Sequence, residues 1–161
     1  MTPNIIAIDP GASGGIAWSD TEGGVHAEPM PDGMTAQCDR LRSIVAEMGN
    51  RCAILEKVGG YMPGNSGPAA ATFARHCGHI EAALYCFAVP TQQVSPSVWQ
   101  RALGFGVARF GPVADKQAAK AQNKRDIRDA MQRRYPHLTV TLKTADALAI
   151  LTWATEKGGK R

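Results

Sequence analysis

No apolar run in these 161 residues approaches the roughly 18 consecutive residues of a membrane helix. The opening Met-Thr-Pro-Asn has no basic stretch of the kind that leads a signal peptide. Together these absences set the expectation of a cytoplasmic, unprocessed protein. Cysteine chemistry is also thin. Cys38, Cys52, Cys77 and Cys86 form no CxxC pair and follow no metal-finger spacing, which suits reduced core residues better than a disulfide framework. His76 and His79 flank Cys77 as H-C-x-H and could share a helical face. Their Ala-rich surroundings supply no obvious third or fourth ligand, which argues against zinc. No internal repeat is present. What remains is 44% hydrophobic and 20% charged, the composition of an ordinary soluble protein, at a length that suits one domain over 1–161.

The net charge of +4 is unevenly spread. Residues 96–134 carry nine Lys/Arg against three Asp, while the rest of the chain is mildly acidic, with nine basic and eleven acidic residues. A basic segment on an acidic body points to a polyanionic partner, nucleic acid above all; a solvated charged helix is the plainer alternative.

Hydrophobic periodicity orders the chain. Residues 4–9 read as a buried strand ending on Asp9, "GASGG" as a turn, "IAWSD" as a second strand and "GGVHAEPM" as a third. From Thr35 to Met48, Leu41, Ile44, Val45 and Met48 recur at helical spacing. "CAILEKV" is a further strand carrying Glu56, and "GGYMPGNSGP" a loop. A long helix over 68–87 precedes a strand in "FAVPTQQV" and a short Pro-led helix in "SPSVWQRAL". "GFGVARFGPV" reads as a loop, 117–134 as a basic helix, "LTVTL" as an edge strand and 144–156 as a last helix. This order specifies a mixed α/β sheet with helices on its faces.

Three acids share an unusual setting. Asp9 and Glu56 end apolar strands, and Asp146 opens an apolar helix: "IAIDPG", "AILEKV", "TADALAIL". A carboxylate among apolar neighbours is costly unless it has a task. Sites in α/β sheets form at the carboxyl ends of strands, where three convergent carboxylates make an oxygen cage suited to Mg²⁺ or Mn²⁺. Two such ions can activate water and stabilise the leaving oxygen of a phosphodiester. Taken singly, each acid has a plainer explanation, as a turn residue, an ion-pair partner or a helix-start charge. Along the basic segment, Lys116, Lys120, Lys124 and Arg128 step by four and form, with Arg125, a candidate phosphate-binding stripe. Tyr61, at the tip of the Gly/Pro-rich loop, is a candidate for stacking on DNA bases.

"IIAIDPGASGGIAW", "ILEKV" with "YMPGNSGPAAATFARHCGHIEAAL", "VSPSVWQRALG" and "ADALAIL" resemble, in order, the segments of RuvC-type Holliday junction resolvases, phage-type members included. The resemblance spans about residues 4–156. It implies an RNase H-like fold with a mixed five-stranded sheet flanked by helices, and a Mg²⁺-dependent, homodimeric endonuclease for four-way DNA junctions. It places Asp9, Glu56 and Asp146 on the family's metal-binding acids, with two ions and Mn²⁺ as a substitute. Arg101 and Lys124 fall on basic residues that face the scissile phosphate or nearby backbone. Two positions depart from the pattern. Lys143 stands where many members carry a fourth acid, and is expected to act as a fixed cation sharing a helix face with Asp146. Gly59 stands where an aromatic follows the second acid, with Tyr61 as the nearest substitute. The small residues Ala69, Ala70, Ala71, Ala74, Gly78, Ala82 and Ala83 make the long helix a candidate dimer interface, close packing on its own sheet being the alternative. Competing expectations are a junction-binding module without catalysis and an RNase H-like nuclease acting on RNA precursors. A sugar-kinase or actin-like ATPase needs a second lobe that 161 residues cannot supply.

Overall fold

The computed structural model describes residues 4–57, 66–106 and 113–156. Tyr61, Gly59 and most of the two Gly-rich loops lie outside the described residues. Five strands, β1 (Asn4–Asp9), β2 (Gly15–Ser19), β3 (Val25–Pro29), β4 (Arg51–Glu56) and β5 (Thr91–Val94), form one sheet in the order β3-β2-β1-β4-β5. The first three are antiparallel neighbours, and β1, β4 and β5 run parallel. The helices are α1 (Met34–Glu47), α2 (Gly67–Cys86), α3 (Pro96–Ala102), α4 (Val113–Arg134) and α5 (Ala145–Glu156).

Strand alternation divides the core in two. Ile6 and Ile8 of β1 and Leu55 of β4 point to the face covered by α1 and α2, where they meet Leu41, Ile44, Ile80 and Leu84. Ile5 and Ala7 of β1 and Ile54 of β4 point to the opposite face, against Leu148 and Leu151 of α5 with Ile127 and Met131 of α4. Because side chains repeat with period two, Asp9 follows Ile5 and Ala7, and Glu56 follows Ile54, onto the α5 face. The parallel register pairs Ile8 with Leu55, so the two acids end neighbouring strands at the same height.

The sequence places most elements within a few residues of where they stand; the exceptions have local causes. "LTVTL" is not a strand: Val140 N–H donates to Gln132 Oε1 and Thr141 N–H to Thr144 Oγ1, so side chains take the donors a ladder would use. "FAV" is not part of β5. Phe87, Ala88 and Val89 donate back to Ala83, Tyr85 and Leu84 to close α2, with Ala88 in the left-handed region at φ 53°. Helix α4 starts at Val113, four residues earlier than its periodicity suggests.

Candidate active site

The α5 face leads directly to a cleft of about 320 Å³ at the carboxyl ends of β1 and β4. Asp9, Glu56 and Asp146 line it together with Lys124, Phe73 and the 10–14 turn. The turn must fold tightly, since Gly14 lies so close that a Cβ there would sit 2.0 Å from the carbonyl oxygen of Asp9. Asp146 enters from the first turn of α5, whose other residues are held in the core by Ala147, Leu148 and Ile150. Lys124 arrives from α4, one turn before Ile127 and two before Met131, on the side of the helix that packs inward.

The two strand-end acids are buried. Asp9 is 7% and Glu56 9% exposed. Burial holds the Asp9 carboxyl well above the ordinary carboxylate range, and the nearby charges of Glu56 and Asp146 add to the rise. Glu56 is also raised, by burial first; the indole of Trp99 opposes the rise by donating from Nε1 to Oε1 at 2.9 Å. Asp146 is raised by burial and pulled back by Lys124, whose Nζ lies 3.6 Å from Oδ2. Its other oxygen, Oδ1, is sealed from solvent without a hydrogen-bond partner.

Among the described residues, no group of three or more His, Cys, Asp and Glu side chains stands close enough together, as arranged here, to hold a metal ion. The donor chemistry nevertheless fits a hard divalent cation: three carboxylates meet in one cleft, their mutual repulsion calls for positive charge, and Asp146 Oδ1 has nothing to bind. His76 and His79 have a different occupation. Their rings stack with centroids 5.0 Å apart, and His79 bonds Gln37 of α1 beside a separate cavity of about 480 Å³.

The other expected residues lie elsewhere. Lys143 shares no helix face with Asp146, because α5 begins only at Ala145. Lys143 sits exposed in the preceding turn, its carbonyl against Gly15; among the described residues, the cation lining the cleft is Lys124. Arg101 is exposed on α3, and Lys120 is exposed and Lys116 half-buried on α4. Arg125 donates to Gln122, and Arg128 is paired with Asp129 at 2.6 Å. Two residues escaped sequence reasoning: Phe73, which lines the cleft, and Trp99, which bonds Glu56 from the core. Both stand in helices, and no local signal shows that Phe73 lies against Gly11 or that Trp99 bonds an acid 43 residues earlier.

No family model matches the chain, and no curated protein matches it in sequence. Among solved structures it is similar to Thermus thermophilus RuvC bound to a Holliday junction substrate, at 15% identity over 96% of each chain with a TM-score of 0.58. It is also similar to a second Thermus thermophilus RuvC structure, at 16% identity over 96% of each chain with a TM-score of 0.53. The fold is therefore the RuvC-like, RNase H-like arrangement of a mixed five-stranded sheet and flanking helices.

Proposed function

We propose that this protein is a cytoplasmic, Mg²⁺-dependent endonuclease that cuts four-way DNA junctions by symmetric phosphodiester hydrolysis, working as a homodimer. The observation that carries the proposal is the meeting of Asp9, Glu56 and Asp146 in one cleft of a RuvC-like fold, with Lys124 as their basic companion among the described residues of its lining. One of the neighbouring structures is RuvC holding a Holliday junction substrate, and the basic α4 beside the cleft suits a polyanion.

Asp9, Glu56 and Asp146 would hold the divalent cations, two Mg²⁺ or, in substitution, Mn²⁺. Such ions would supply Lewis-acid stabilisation of the developing charge on the phosphodiester and would make a water more acidic. The chain's own residues do the rest. The sheet fixes Asp9 and Glu56 side by side, so little reorganisation is left for the reaction step. Lys124, beside Asp146, places an ammonium where a scissile phosphate entering the cleft meets positive charge. Arg101, Lys116 and Lys120 offer cations to the flanking backbone, which positions the strand without reading its sequence.

A synthetic four-way junction incubated with the protein and Mg²⁺ should be nicked at symmetric positions. Asp9→Asn, Glu56→Gln and Asp146→Asn should each lower cleavage by several hundredfold or more while junction affinity changes little, because affinity rests on phosphate contacts elsewhere. Tight junction binding with no cleavage in either Mg²⁺ or Mn²⁺ would instead identify a binding module; preferential cutting of structured RNA would make the chain an RNA-processing nuclease.

A further inference from the structure

Trp99 is wholly buried, and its indole nitrogen donates not to a backbone carbonyl but to the carboxylate of Glu56, 43 residues earlier. The path of the chain explains how. Glu56 pairs in register with Val94, the last residue of β5, and Lys57 N–H donates to Val94 carbonyl oxygen at 2.7 Å. Ser95 follows, Pro96 opens α3, and Trp99 hangs one turn into that helix beside Glu56. The surrounding core of Ile127, Leu148 and Leu151 would accept a residue with no polar atom. Placing an indole there requires a partner for its N–H, and the partner is an acid of the cleft.

We infer that Trp99 is a positioning residue for Glu56: its N–H claims Oε1 and fixes the carboxylate's rotation, leaving Oε2 for the cleft. The inference rests on the reading of Glu56 as a cation ligand. Outer hydrogen bonds of this kind orient a ligand and set its affinity for the ion. They do so here from a helix that also carries the exposed Arg101 two residues on.

Trp99→benzothienylalanine keeps the ring shape and replaces the N–H with sulfur, so it removes the hydrogen bond without opening a cavity. Free Mn²⁺ followed by electron paramagnetic resonance in a titration reports binding with no substrate present. We expect Mn²⁺ affinity to fall about tenfold or more, with the Mg²⁺ needed for half-maximal cleavage rising in parallel and the thermal midpoint of the metal-free protein almost unchanged. Trp99→Phe should show the same loss of affinity with an added drop in stability from the missing ring. Wild-type Mn²⁺ affinity in the benzothienylalanine protein overturns the role of Trp99 and leaves the metal site standing. Absence of Mn²⁺ binding to the wild-type protein, with cleavage independent of any divalent ion, overturns the metal reading and this inference with it.

Discussion

Asp9 illustrates a conflict between stability and chemistry at the scale of a single residue. Its carboxyl is buried beside two other acids, so the folded state resists its ionisation. A carboxyl raised in this way contributes a penalty that is absent below the ordinary carboxylate value, near 3.8, and grows as the pH rises toward the folded value. Above that point the penalty is constant. In a chelator, therefore, Asp9→Asn should have a higher thermal midpoint than the wild type at pH 7. The difference should shrink as the pH falls toward 4. Saturating Mg²⁺ should reverse the ranking, because only the wild type then gains from binding. Calorimetry at several pH values with and without Mg²⁺ checks both parts; an unaltered or lowered midpoint for Asp9→Asn in chelator would show that burying the Asp9 carboxylate costs the metal-free fold nothing. Gly14 belongs to the same site by a steric route, since no side chain fits against the Asp9 carbonyl.

Among the elements, α4 is divided between two tasks. Its second half is anchored by Ile127 and Met131. From Asp115 to Gln122 every side chain but Lys116 is exposed, so that stretch has little core to bury. Its Ala, Gln and Lys content favours helix without tertiary help, and a helix that is polar on all sides suits a charged partner. Lys116→Glu with Lys120→Glu should weaken junction binding and flatten the plot of log affinity against log salt by about 0.9 for each phosphate no longer neutralised. Arg128→Glu should do less, because Arg128 is already paired with Asp129. Unchanged affinity and slope in the double variant would leave α4 a solvated face.

For the whole molecule, the proposed symmetric cut demands two active sites facing opposite strands, which a twofold dimer provides. Helix α2 turns Ala71, Ala74, Gly78 and Ala82 outward and carries Tyr85, 86% exposed, in its last turn; Ala83, by contrast, is buried on the chain's own sheet. Sedimentation at micromolar concentration should show a dimer that Gly78→Arg with Ala82→Arg dissociates, with paired nicking falling to single nicks. A wild-type monomer, with and without junction DNA, would remove α2 as the interface.

Alternating apolar residues, turn glycines and helix starters were enough to specify the strands and helices and to single out Asp9, Glu56 and Asp146, because a carboxylate among buried neighbours is visible from its neighbours alone. Residue parity even determines that Asp9 and Glu56 share a face once β1 and β4 are paired. That pairing, and the packing of α5 on that face, are long-range events that no local window contains. They decided that the three acids meet in one cleft, that Lys124 rather than Lys143 supplies its cation, and that Trp99 reaches Glu56 across 43 residues. The failed edge strand has the opposite cause: "LTVTL" has strand propensity, but Gln132 and Thr144 capture its backbone donors. Propensity is local, whereas hydrogen-bond partners and charge neighbours are assigned only when distant segments pack.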